Sequence, residues 1–386
     1  MSRKYKVGFL YYSAGLQVSG MFRRLAQLPA IDLTVCYISE VGISELFDPE
    51  TGFSLGSDLA LFEGYRSEFL SRQSIRKYLG GINRRKFDIF VVAGYTRLIC
   101  WLTFLKAIVS GVPIFLRADT TLLYQNQLPL WQKIAKRLLS WVLFRMFKGF
   151  LATGKLSKNC FQYYGVPEEK IFIVPYEADN EYFQASCSIY KSSRKALREE
   201  FGISPDKLVI LGIVKFIERE RPMDLIMAYE RLKNRDRASL ILVGDGRQRK
   251  RIEEYIRQNK LKGIYLFGYR KYSELPKFYA VSDIFVHPAI VEPWGLSVNE
   301  AMACGLPVVT TDMVGSAYDL IQEGKNGFIY PAGDIASLTL ILEKFIEEPS
   351  LCEQFGYESV KIISSWGYDR CINGIITAIK SSIKQR

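Results

Sequence analysis

Apolar residues along this chain arrive in short runs of strand length, each followed by a longer stretch in which they recur every three or four positions. Residues 5–12, 31–38, 87–92 and 113–116 form such runs, and 21–28 has helical spacing. Runs without a polar alternate face suit strands covered on both sides, as in parallel sheets flanked by helices. After a polar, charged stretch that begins around 174–180, the pattern restarts at Leu208 and repeats more cleanly. Strand-like runs fall at 209–212, 239–243, 264–267 and 282–287, and helical ones at 222–232, 248–258, 272–281 and 297–304. The order predicts two doubly wound α/β domains, at 1–180 and 181–365, with a last helix in 366–386. Ligands of such sheets bind beyond the C-terminal strand ends, so two facing domains would share one cleft.

A chain of 386 residues with 48% hydrophobic content can bury two cores. Between Glu40 and Arg85 the sequence is polar and irregular, an insertion placed to shape a specificity pocket at the rim of a sheet. Residues 98–116 carry a single charge, Lys106, but Gly111 and Pro113 break them, so a buried helix followed by a core strand is expected rather than a membrane span. The N-terminus reads as a first strand and not as a signal peptide. Seven scattered cysteines without C-x-x-C spacing argue against a disulfide framework or a zinc site, which makes a reducing cytoplasm the expected setting.

Charge sharpens the picture of the first half. The net charge is +12, yet residues 66–158 alone hold 17 Lys or Arg against three acids. Residues 131–150 interleave Lys133, Lys136, Arg137, Arg145 and Lys148 with Trp131, Leu138, Trp141 and Phe144. That composition fits a helix lying on an anionic membrane; the alternative is a helix packed on its sheet with a solvated basic face. No nucleic-acid module is present, so nucleic acid is not an expected partner.

The richest chemistry lies at 287–309, HPAIVEPWGLSVNEAMACGLPVV, where Glu292 and Glu300 flank Pro293-Trp294-Gly295 at a strand-to-helix turn. Gly295 allows close approach, and a helix start attracts anions through its unpaired amides. Two carboxylates beside such a start would suit a ligand that carries phosphate and hydroxyls. The segment resembles the signature of the retaining glycosyltransferases of family 4, bacterial surface-polysaccharide enzymes of the GT-B fold, whose pattern is E-x-F/W-G followed by E-A-M-A-x-G-x-P-V-V. The resemblance implies two Rossmann-like domains and transfer of a hexose from a UDP- or GDP-linked sugar to a glycan or lipid-linked acceptor. It also implies that the final helix packs back on the first domain.

Other stretches extend the likeness. Lys215 stands at the first basic place of the donor-phosphate loop; the second falls on Glu220, with Arg219 and Arg221 beside it, and Arg221 is the residue assigned to it. Val243-Gly244-Asp245-Gly246 and Phe267-Gly268-Tyr269-Arg270 resemble the family's next strand-end turns. The implied donor contacts are Gly15, Lys215, Arg221, Gly244, Tyr269, Arg270, Pro293, Trp294, Gly295, Leu296 and Glu300, with Glu292 on the sugar and Glu300 on the ribose. Relatives of this kind use a front-face mechanism in which the departing phosphate takes the acceptor's proton. Arg117 and Asp119 are then candidates for orienting substrate, and a structural ion pair is the alternative for them. His287, the only histidine, reads as a hydrogen-bonded core residue. No Asp-x-Asp occurs, so no metal or other cofactor is expected. Two other readings stand beside this one: a nucleotide-sugar 2-epimerase of the same architecture, and a non-catalytic nucleotide-sugar-binding partner, made conceivable by Glu220.

Overall fold

The computed structural model describes residues 4–13, 15–38, 46–48, 53–55, 61–71, 73–123 and 129–384. Most of 39–60, where the sequence suggests a specificity insertion, lies outside the described residues. In chain order the strands are β1 (Tyr5–Tyr11), β2 (Ile31–Tyr37), β3 (Leu46–Asp48), β4 (Phe53–Leu55), β5 (Arg66–Phe69), β6 (Ile89–Ala93), β7 (Ile114–Ala118), β8 (Gly149–Ala152) and β9 (Ile171–Ile173). They continue with β10 (Leu208–Ile213), β11 (Ala238–Val243), β12 (Ile264–Leu266), β13 (Ile284–His287), β14 (Val308–Thr311) and β15 (Gly327–Tyr330). Two units result, one of 1–45, 59–177 and 368–386, the other of 46–58 and 178–367.

The first unit is built on a parallel sheet in the order β5-β2-β1-β6-β7-β8-β9. Its strands are apolar on both faces because both are covered. Val7 and Phe9 of β1 join one cluster with Phe22 and Leu25, while Leu10 joins another with Phe90 and Phe104 on the opposite face. The final helix, Tyr368–Lys384, belongs to this unit: Tyr368, Cys371, Ile372, Ile375 and Ile379 recur at helical spacing and complete the Phe22 cluster. The helix Leu98–Val109 is only half buried. Cys100, Phe104 and Ala107 face inward, whereas Leu98, Leu105 and Val109 are exposed. No described helix is long and apolar enough to cross a membrane.

The second unit has the parallel order β12-β11-β10-β13-β14-β15 around the cluster of Ile210, Leu240, Leu242, Ile284 and Val286. The polar stretch before Leu208, where the apolar pattern pauses, is largely helical. It holds the helices Asn180–Lys191 and Arg194–Glu200, the first capped by the Asp179 side chain and burying Phe183 and Cys187 on one stripe. Asp283 anchors the second to the sheet by accepting from Arg194 at 2.6 Å, Arg198 at 2.7 Å and the amide of Val209 at 2.7 Å.

The cysteine spacing does not signal the one bridge found among the described residues. Cys187 and Cys304 lie 117 positions apart in sequence, yet their Cα atoms are 5.6 Å apart and the two form a disulfide. Residue spacing says nothing about a pair brought together by packing of two distant helices.

Candidate functional site

The C-terminal ends of β10, β11 and β13 meet the start of helix Leu296–Ala303 around a cavity of about 280 Å³. Lys215, Gly244, Tyr269, Arg270, Glu292, Gly295 and Leu296 line it, as the sequence reading placed them together; so do Glu220, His287 and Ser297. Larger hollows, of about 480 and 650 Å³, open at the other edge of this sheet around Asp283. Arg194 and Arg198 there are spent on holding Asp283, and the C-terminal edge is where sheets of this winding place their ligands.

Backbone packing fixes the floor of the cavity. Gly244 has φ +145°, and a Cβ there would overlap the carbonyl of Val214, so only glycine lets the ends of β10 and β11 approach this closely. Past Lys215 the chain makes a 3₁₀ turn, Glu218–Glu220, that folds the Glu220 carboxylate back to accept the amide of Lys215 at 2.6 Å. Burial pushes Glu220 up to about 7, against the pull of the Lys215 amide and Arg219.

The same turn leaves Arg221 outside the lining of this cavity. That residue sits in the left-handed region, φ +51°, and its Nε donates to Asp224 at 2.8 Å, so its charge is committed to the start of helix Pro222–Arg231. Arg219 bridges Glu220 and Glu292, two carboxylates of the cavity wall. Its guanidinium lies 3.3 Å from Glu220 and 3.2 Å from Glu292, and it also donates to the carbonyl of Val291 at 3.2 Å.

Glu292 is therefore held on both carboxylate oxygens. Oε2 faces Arg219, and Oε1 accepts the amides of Gly295 at 3.1 Å and Trp294 at 3.3 Å. Gly295 makes this turn with φ +89°, and the amides of Leu296 and Ser297 follow before the first intrahelical hydrogen bond can form. The site thus offers an oriented carboxylate, an ammonium at Lys215 and a helix start on one wall. An anionic group and a hydroxylated one can be held side by side there.

Glu300 and Trp294 lie behind this wall. Glu300 is 6% exposed, accepts the Tyr279 hydroxyl at 2.8 Å, and is pushed up to about 7 by burial. Trp294 is 2% exposed; its Nε1 donates to Asn299 at 2.9 Å and its ring packs on Trp366. Its neighbour Pro293 turns its carbonyl against Gly315, where a Cβ would overlap it. On the far wall Arg270 lies 3.7 Å from Glu274, with its Nε buried and unpaired.

His287 departs from expectation. It is 3% exposed at the end of β13, but neither ring nitrogen has a hydrogen-bond partner among the described residues. Nothing in its sequence neighbourhood signals this, because partner count depends on the fold.

In the first unit, Arg117 is 6% exposed and bonds the carbonyls of Val174 at 3.1 Å and Pro175 at 3.0 Å, with Glu177 at 2.6 Å. Burial opposes its charge, but Glu177 together with Tyr11, Cys371 and Tyr176 outweighs that and holds its pKa above the ordinary value. The ion-pair alternative describes its contacts. Asp119 accepts the Tyr176 hydroxyl, and Gly15 caps helix Leu16–Gln27 in an extended conformation.

Residues 193–361 match the family model described as glycosyl transferases group 1. Among curated relatives, the N-acetyl-alpha-D-glucosaminyl L-malate synthase of Bacillus anthracis is 27% identical over 187 residues, 46% of this chain and 49% of the relative. The alpha-monoglucosyldiacylglycerol synthase of Acholeplasma laidlawii is 29% identical over 192 residues, covering 46% and 48%. The chain thus spans about half the length of these relatives. Anabaena HepE in complex with UDP and glucose aligns over 98% of this chain and 100% of its own, with TM-score 0.73 and 18% identity. A glycosyltransferase from Rickettsia africae covers 100% of both chains at TM-score 0.77 and 15% identity. The fold is that of these proteins: two parallel-sheet Rossmann-like domains of the GT-B type.

Proposed function

The chain carries a group 1 glycosyl transferase domain at residues 193–361, and on that premise we propose that it is a retaining hexosyltransferase. It moves the sugar of a UDP- or GDP-linked donor to a glycan or lipid-linked acceptor in polysaccharide synthesis. The observation that carries this reading is the Glu292 carboxylate, fixed by Arg219 and by the amides of Trp294 and Gly295 at the mouth of a helix start. In the proposal Glu292 holds the sugar's hydroxyls. The diphosphate is met by Lys215 and the amides of Leu296 and Ser297, with no metal; its departing oxygen takes the acceptor's proton. Tyr269 and Arg270 flank the base. The sugars in the relatives' names and the UDP and glucose bound to HepE support the donor class.

A panel of UDP-, GDP- and ADP-linked hexoses tests this. One base should raise the melting temperature, because a ligand of the native state stabilises it according to its affinity. The same donor should support transfer with the anomeric configuration retained. No shift with any of them would reject the assignment. Glu220 favours a second reading, a nucleotide-sugar-binding protein without transfer, since a carboxylate stands where the donor loop expects a cation. Stabilisation by a donor that is neither hydrolysed nor transferred would select it.

The acceptor side rests on helix Leu130–Phe144. Leu130, Trp131, Ile134, Leu138, Leu139 and Val142 are exposed along one half of its circumference, whereas Lys133 and Lys136 are partly covered on the other. A helix packed on its sheet with a solvated basic face would show the reverse. We read this face as lying in the surface of an anionic bilayer, apolar side down, with Arg137 and Arg145 at the headgroups. Flotation should recover the protein with vesicles containing phosphatidylglycerol, less so with phosphatidylcholine alone. Ile134→Glu with Leu138→Glu should abolish recovery; unchanged flotation of that variant would refute the docking face.

A further inference from the structure

His287 is the only histidine of the chain and is 3% exposed, and among the described residues neither Nδ1 nor Nε2 has a hydrogen-bond partner. It nevertheless lines the cavity beside Glu292, Gly295 and Ser297. Packing holds the ring in place: it stacks on Phe285 with centroids 6.3 Å apart, and its Cδ2 lies 3.5 Å from where a Cβ on Gly295 would stand. A phenylalanine would fill this position without burying two unpaired polar atoms, which disfavour the folded state. A residue that works against local stability is what a binding role leaves behind.

The chemistry of the ring narrows the ligand group. Burial holds its pKa below the ordinary histidine value, so the imidazole is neutral and carries one N–H and one bare nitrogen, both closed to water in this structure. A phosphate oxygen only accepts and can satisfy the N–H alone. A sugar hydroxyl both donates and accepts, so it can pair with either nitrogen, and it is also what Glu292 beside it would hold. We propose that His287 contacts the transferred sugar of the donor, hydrogen-bonding one of its hydroxyls together with Glu292. This rests on the reading of the cavity as a nucleotide-sugar site.

Three measurements on full-length protein without a histidine tag test the proposal. Free His287→Phe should melt at the native temperature or above it. Its affinity for the nucleotide sugar should fall about tenfold, the worth of roughly one good hydrogen bond, while affinity for the nucleoside diphosphate alone stays within about twofold; His287→Gln should recover part of the loss. The probes are UDP against UDP-glucose and GDP against GDP-mannose, by calorimetry. Because there is one histidine, its two ring ¹⁵N resonances are unambiguous, and they should move on addition of the nucleotide sugar but not of the diphosphate. A lower melting temperature with unchanged sugar affinity would return His287 to a purely structural role. Equal weakening of diphosphate and nucleotide sugar would also overturn the sugar contact. If native protein binds none of the four probes, the nucleotide-sugar reading itself fails; native binding with a silent His287 defeats this proposal alone.

Discussion

Glu292→Gln is expected to lower the rate of sugar transfer by about 10²–10³-fold, the usual cost of removing one preorganised electrostatic contact from a reacting centre. The size follows from how the carboxylate is held. Arg219 and the amides of Trp294 and Gly295 fix both oxygens, so the charge is oriented before a donor arrives. Glutamine keeps the volume and one acceptor, but its amide nitrogen must face either Arg219 or the two N–H groups, and each is a donor. The turn should persist, since Gly315 and Met313 also pin residue 292 through its backbone. Calorimetry should therefore show nucleoside diphosphate binding within a few fold of native, while kcat collapses with the donor identified by the panel. Native turnover in this variant would remove Glu292 from the site.

Arg117→Met is expected to have the largest effect on stability, a loss of about 3–5 kcal/mol, because it strands a buried carboxylate. Glu177 is itself buried, and apart from Arg117 its hydrogen bond comes from the Tyr11 hydroxyl at 3.3 Å. Replacing both partners, Arg117→Met with Glu177→Leu, should restore most of the loss, since apolar side chains of similar volume need no compensating charge. Urea unfolding measures both. The double variant also separates the two roles considered for Arg117: a structural residue returns activity together with stability, whereas a substrate-orienting one leaves a stable, inactive protein. A single variant as stable as native would refute the buried pair.

Much of this site was legible because its parts are local. Gly244, Gly295, Glu292 and Lys215 all sit at strand ends whose positions follow from the apolar runs, and strand ends of one parallel sheet converge on one edge. What escaped depends on geometry that residue counting does not carry. Counting along the donor loop points to Arg221, but the 3₁₀ turn at Glu218–Glu220 and the left-handed residue after it set that side chain on Asp224 and leave Arg219 on Glu292. Glu300 lies on the helix side that faces the core rather than the cavity, a rotation about the helix axis that the spacing of the two glutamates leaves open, and Trp294, in the turn before that helix, is buried against Asn299 and Trp366. The linker helices were missed because Arg194 and Arg198 look like solvated charges until Asp283 is seen between them. The disulfide joins helices that no periodicity relates.

The anchoring of Glu292 on the helix start has a kinetic and energetic corollary. The carboxylate acts as a placeholder anion, keeping residues 292–295 in the shape that a ligand requires. Affinity is then not diminished by ordering this loop, and a ligand meets a surface already assembled, so its association should run at the rate of diffusive docking rather than that of loop closure.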